Sequence, residues 1–234
     1  MDIKEKKTKG QIVSLCLLAL FAVLITVAGI VFRQSALRIA PLYVSLVIGF
    51  LQSKASRYAH LLGAFNCFLY TAAYFSFRMY ATAISTILFS LPLQSVTFWL
   101  WSKKSYKQST EFRTLKAWQW LVGGAAFAVA YAVIQFALTS ANSNHPFLDN
   151  AATLVGFLVS VLSLLSFREY SWFMLLSGAI NLLMFGVMTR EDPAQSTYLI
   201  YAVHSMICMV AQFCSVQKLY AEQRAGSALK GNFL

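Results

Sequence analysis

Charged residues divide this 234-residue chain into long apolar intervals. Seven of them, residues 10–32, 58–77, 79–102, 117–148, 150–167, 170–189 and 193–217, reach or approach the ~20 apolar residues a helix needs to cross ~30 Å of hydrocarbon. The fourth contains a polar turn, Ser140-Ala-Asn-Ser-Asn-His145. An eighth interval, residues 39–53 between Arg38 and Lys54, is short and carries Pro41 near its start, where proline suits a first helical turn. Including it predicts eight membrane helices. The first apolar run exceeds a ~7 to 15-residue signal core and has no convincing small-residue cleavage site, so a retained helix is expected.

Composition agrees with this pattern: 59% of residues are hydrophobic and 12% charged, too little polar surface for a water-facing globule. The net charge of +11 raises the question of nucleic acid. Aromatic-rich apolar runs without a basic stripe argue against that partner, and the placement of the charges supplies another reading. With eight helices and a cytoplasmic N-terminus, the inside segments hold Lys4, Lys6, Lys7 and Lys9, then Lys54 and Arg57. They also hold the loop Lys103, Lys104, Lys107, Arg113 and Lys116, then Arg168, Lys218, Arg224 and Lys230. Arg33, Arg38, Arg78 and Arg190 fall outside. Dropping the short second helix would put the basic N-terminal tail and the 103–116 loop on opposite sides, so both termini are expected to be cytoplasmic. The four cysteines lie in apolar stretches without metal-binding spacing and read as small hydrophobes.

The chain also repeats itself. Leu62-Gly-Ala-Phe-Asn66 matches Ser177-Gly-Ala-Ile-Asn181 at an offset of 115, with Tyr70 on Phe185. After three extra residues, Tyr80 falls on Tyr198 and Gln94 on Gln212; each Tyr-to-Gln interval is close to four helical turns. The repeat groups helices two to four against helices six to eight. Helix five, as a connector, restores the orientation of the second copy, and helix one stands outside. The expected fold is therefore all-α, a 3+1+3 parallel repeat of the kind found in SWEET-type transporters, with a substrate held near the midplane between the copies. The expected segments are a basic tail and extra helix (1–36), a first repeat (37–102), a basic loop and connector (103–145), a second repeat (146–217) and a C-terminal tail (218–234).

In the residues that carry it, the chain resembles the PnuC-type vitamin transporters over roughly residues 55–217. The resemblance rests on Leu62-Gly-Ala-Phe-Asn-Cys-Phe-Leu-Tyr70, Leu91-Pro-Leu-Gln-Ser-Val-Thr-Phe-Trp-Leu-Trp101, Pro146-Phe-Leu-Asp149 and Arg168-Glu-Tyr-Ser-Trp172. A second tryptophan common in the family is missing after Trp172, where Phe173, Met174 and Leu175 follow. The resemblance implies import of nicotinamide riboside through a bacterial cytoplasmic membrane by facilitated diffusion, trapping by a separate cytoplasmic kinase, and a homotrimer. Thiamine, riboflavin and deoxynucleosides are the alternative substrates, and a non-transporting scaffold or sensor is the more remote alternative.

Intramembrane amides are costly unless partnered, so Asn66, Gln94, Asn181 and Gln212 are expected to contact either substrate or neighbouring helices. Tyr70, Phe185, Tyr198, Trp101 and Trp172 are candidate aromatic contacts for a cationic ring, although tryptophans near helix ends also serve as interface anchors. Gly63 and Gly178 are expected to let helices approach closely. His204 is a candidate ligand contact or a neutral structural histidine. Asp149 suits a helix start as a cap or a gating residue, and Pro92 suits a hinge or a static kink. No cofactor or metal is expected. Walker, HExxH and GxSxG sequences are absent, which argues against an ATPase or a hydrolase.

Overall fold

A computed structural model describes residues 2–76, 86–107, 109–140 and 146–231. Tyr80, Arg78 and His145 lie outside the described residues, and with Tyr80 the expected match to Tyr198. Eight α-helices occur among the described residues. They are α1 (Asp2–Val31), α2 (Ala36–Ser53), α3 (Tyr58–Ser76), α4 (Leu91–Lys103), α5 (Ala117–Ser140), α6 (Pro146–Leu164), α7 (Tyr170–Glu191) and α8 (Ser196–Gly231). A π-turn, Thr86–Ser90, leads into α4, and a 3₁₀ turn, Pro193–Gln195, leads into α8. Six of the helices, α1, α2, α5, α6, α7 and α8, are long and apolar enough to cross a membrane.

Six helices form a closed ring in which α2 packs on α3, α3 on α4, α4 on α6, α6 on α7, α7 on α8, and α8 back on α2. Outside the ring lie α1, against α2 and α8, and α5, against α6. Both outer helices present many exposed apolar side chains, including Leu20, Val23, Leu121 and Val129. In water such a surface would drive association; in hydrocarbon it is the solvated face. Asn150 fastens α5 to the ring, donating to the Tyr131 carbonyl and the Gln135 side chain, each at 3.0 Å.

Several boundaries differ from the sequence expectation. Pro41 is interior to α2, not in its first turn, because the helix begins at Ala36. The C-terminal tail continues α8 to Gly231, so the chain leaves the apolar span as helix. The basic loop is not wholly irregular: Ser105–Tyr106 and Ser109–Thr110 pair antiparallel as β1 and β2.

Helices α2 and α6 end alike. Ala55 (φ 49°) and Ser166 (φ 59°) take the left-handed conformation usually given to glycine. In each case the next amide reaches back to close the helix, Ser56 to Leu51 at 3.1 Å and Phe167 to Leu162 at 2.9 Å. These tight turns deliver α3 and α7 beside the helices that precede them.

The hairpin seals one end of the ring. Arg113 pairs its backbone with the α6–α7 turn, accepting from the Arg168 amide at 2.9 Å and donating to Ser166 at 3.0 Å. Gln223 of α8 accepts from the Phe112 amide at 3.0 Å and donates to the Thr110 carbonyl at 2.9 Å. Beneath these contacts lies a buried core containing Trp101, Phe112, Phe167, Tyr170 and Val216. A second core, with Phe21, Ile25, Leu42, Leu46 and Tyr198, joins α1, α2 and α8 toward the other end.

Candidate functional site

Inside the ring, just above the hairpin core, all six ring helices contribute to one cavity. Gln52 comes from α2, His60 from α3, Gln94 and Thr97 from α4, Ser160 and Ser163 from α6, Tyr170 from α7 and Gln212 from α8. Its volume is about 50 Å³, room for a few waters and far below the roughly 300 Å³ of an ordinary ligand pocket. The ring is closed around the site.

Two amides dominate its polarity. His60 Nδ1 lies 2.7 Å from Gln94 Oε1. A carbonyl oxygen only accepts, so Nδ1 carries the proton, and Nε2 is left to accept the longer 3.4 Å contact from the Ser163 hydroxyl. Gln94 therefore has its acceptor engaged and its NH2 group available. Across the ring Gln212 is arranged the opposite way: its Nε2 donates to the Tyr170 hydroxyl at 2.9 Å, while its buried Oε1 has no partner. Gln94 and Gln212 thus offer one amide donor and one amide acceptor from opposite halves of the chain, Gln52 adds a third amide, and no charged side chain lines the cavity.

The close approach of α3 to α4 depends on Gly63. A Cβ there would stand 3.2 Å from the Gln94 side-chain carbon, so the glycine makes room for the amide that His60 orients. Gly178 acts similarly between α7 and α8, where a Cβ would meet the sulfurs of Met209 and Met206 at 2.7 and 2.8 Å.

The sequence candidates separate into distinct groups. Gln94 and Gln212 come together in the cavity. Trp101 lies behind it, 1% exposed, edge-on to His60 at 4.6 Å and donating to the Ser163 carbonyl at 2.9 Å. That burial excludes the interface-anchor reading for Trp101. Trp172 is the reverse: it is 57% exposed and packs edge-on against Phe213 on the outside of the ring. Two residues along a helix correspond to about 200° of rotation, so Tyr170 and Trp172 cannot both face inward. It is Tyr170 that does.

Asn66 and Tyr70 belong to a second polar cluster. Asn66 donates to the Pro41 carbonyl at 3.2 Å and to Ser45 at 2.8 Å, and Ser45 is 3.0 Å from the Tyr70 hydroxyl. The cluster ties α3 to α2. Phe185 stacks at a tilt on Tyr198, whose hydroxyl donates to the Arg38 carbonyl at 3.2 Å. His204 is buried against Phe21, at 5.1 Å between rings, and beside Cys208. Asn181 is half-buried on α7 and does not line the cavity. Asp149 sits in the first turn of α6, and Pro92 is the second residue of α4, into which the π-turn runs directly.

Sequence reasoning passed over His60, Tyr170, Gln52, Thr97 and Ser163. Their common signal is a polar side chain within about three turns of the hairpin-side end of its helix. No group of three or more metal-binding side chains is found among the described residues.

Residues 35–214 match the family described as nicotinamide mononucleotide transporter. The fold is similar to the crystal structure of the vitamin B3 transporter PnuC, with a TM-score of 0.74 over 89% of this chain and 92% of that chain at 21% identity. No curated protein sequence matches. A family match over most of its length, on a bundle of membrane-crossing helices, places the chain in the nicotinamide mononucleotide transporter family, as a multi-pass membrane transporter and not an enzyme.

Proposed function

We propose that the chain carries nicotinamide riboside by facilitated diffusion, with a separate cytoplasmic kinase trapping the product as its phosphate ester. The observation that carries this reading is the uncharged lining of the ring cavity. A mononucleotide brings a phosphate that would have to shed its hydration without a lysine or arginine to receive it, at a cost of several kcal/mol. A riboside brings hydroxyls, a carboxamide and a delocalised cationic ring. The carboxamide suits the two glutamines, its oxygen accepting from Gln94 and its NH2 group donating to Gln212. Ser160, Ser163 and Thr97 offer partners for the ribose hydroxyls, and Tyr170 offers an aromatic face.

The closed cavity must widen to admit such a substrate. The ring supports two three-helix copies rocking against each other: the contacts of α2, α3 and α4 are mirrored by those of α6, α7 and α8, and the α2–α8 seam is mirrored by the α6–α4 seam. In this reading the π-turn with Pro92 is the hinge of one copy, and Asp149 caps or gates the start of α6. The basic hairpin end is cytoplasmic, by the distribution of lysine and arginine. Association into a homotrimer, implied by the resemblance, has an available surface in α5, no residue of whose apolar span is fully buried in the single chain.

Liposomes containing the protein, the riboside kinase and ATP should accumulate labelled nicotinamide riboside and not the mononucleotide. Accumulation of thiamine, riboflavin or a deoxynucleoside instead would reassign the substrate, and no uptake of any of them would leave the scaffold or sensor reading.

A further inference from the structure

A second and larger cavity, about 610 Å³, lies outside the ring at the hairpin end, between the loop after β2, the start of α5, the α6–α7 turn and the protruding part of α8. Arg113, Lys116 and Arg224 line it together with Gln119 and Tyr220, and no acidic side chain does. Of the carboxylates on the same elements, Glu111 is exposed and does not line the cavity, and two others are paired elsewhere. Glu222 bonds Lys107 at 2.6 Å and Glu169 lies 3.6 Å from Arg168. Arg168, offset by Glu169, stands over the Tyr220 ring at 4.5 Å at the rim.

One of the positive charges is held in place, and Lys116 and Arg224 are exposed. Arg113 donates from Nε to the Leu165 carbonyl at 2.9 Å and lies over Phe167 at 4.8 Å, which fixes its guanidinium. The Gln119 side chain accepts from the Lys116 amide at 2.8 Å and so orders the first turn of α5, whose positive dipole end adds to the field. Trp118 and Trp120, both exposed, follow within the same turn and mark the level of the membrane interface. A preformed cationic pocket at headgroup depth matches one kind of chemistry.

We propose that this cavity binds a phosphate-bearing anion, supplied by the headgroup of an anionic phospholipid. Bound there, the phosphate bridges the hairpin loop, α5 and α8, and stabilises the seal of the ring. The role is independent of what the ring cavity carries.

The test uses the full chain in nanodiscs of phosphatidylcholine, with or without about one-fifth phosphatidylglycerol, read by retained lipid in native mass spectrometry and by thermal midpoint. The wild type is expected to retain phosphatidylglycerol and to melt several degrees higher with it. Lys116→Gln combined with Arg224→Gln should bind it about thirtyfold more weakly, the worth of two basic side chains at a charged surface, with an unchanged midpoint in pure phosphatidylcholine. Arg113→Gln should weaken binding and also lower that midpoint, through loss of the Leu165 contact. Equal retention and equal stabilisation in the wild type and the double variant would overturn the proposal. Saturable binding of glycerol phosphate through the same residues, without any response to phosphatidylglycerol, would keep the anion site and reject the lipid as its source.

Discussion

Gln212 gives its amide hydrogen to the Tyr170 hydroxyl at 2.9 Å and keeps its carbonyl oxygen buried without a partner. Such an orphan acceptor costs ~1–3 kcal/mol, while the bond it accompanies returns only ~1 kcal/mol. Folding alone gives little reason for this arrangement, whereas a ligand donor gives one. Replacement Gln212→Leu is therefore expected to weaken riboside binding about tenfold to hundredfold while moving the thermal midpoint by no more than a few degrees. Calorimetric titration and thermal unfolding of the same preparation measure both quantities. Intact binding with a large loss of stability would return Gln212 to a packing role.

Asn66 also keeps a buried side-chain oxygen without a partner, but it lies away from the cavity. Its NH2 group is spent on Pro41 and Ser45, both on α2, so its removal takes bonds from the fold. Asn66→Leu is expected to lower stability by ~1–3 kcal/mol, with binding to the folded protein changed less than about twofold. A normal melting curve with abolished binding would move Asn66 into the substrate site.

Gly63 is expected to act through its neighbour. Alanine at this position gains ~0.5–1 kcal/mol of helix propensity but presses a methyl group against the Gln94 amide. Gly63→Ala should leave thermal stability within about 1 kcal/mol of the wild type and reduce uptake several-fold. Equal uptake would show that Gln94 retreats without consequence.

The two tryptophans of the resemblance motifs should differ sharply. Trp101 is enclosed by His60, Phe112 and Tyr170, and its truncation leaves a large hole. Trp101→Ala should cost ~3–5 kcal/mol in denaturant or thermal unfolding. Trp172→Ala, on the exposed outer face, should cost under ~1 kcal/mol and leave substrate affinity unchanged, as read by unfolding and titration. A drop in affinity for Trp172→Ala alone would place that ring in the path of the substrate.

Most helices were legible as apolar runs between charged residues, and the charge balance favoured the short α2; charge did not mark every end, since α6 starts before Asp149 and α8 runs past Lys218. Equivalent glutamines at Gln94 and Gln212 were legible from the repeat, and the structure puts both on one cavity. The repeat did not distinguish which of its amides face that cavity: Asn66 matches Asn181 in sequence, yet Asn66 is fastened to α2 while Asn181 lies half-buried on α7. Helical phase decided between Tyr170 and Trp172, and an isolated motif string does not carry phase. The capping turns at Ala55 and Ser166 were invisible, since neither residue is a glycine and tertiary packing imposes their conformation. The hairpin escaped notice because its strands are two residues each and carry no alternating pattern.

The length of α8 has a mechanical consequence. At 36 residues it extends about 54 Å as one helix, well beyond the ~30 Å of hydrocarbon. Gln212 and Gln223 lie on this one rod, about 17 Å apart, the first at the ring cavity and the second clasping the hairpin. A tilt of the rod by about 10° at the cavity displaces its clasp by about 3 Å, comparable to the length of the hydrogen bonds that hold it. A tilt of the rod on substrate binding is therefore expected to move the hairpin, where a reporter dye on the loop reads it without entering the membrane.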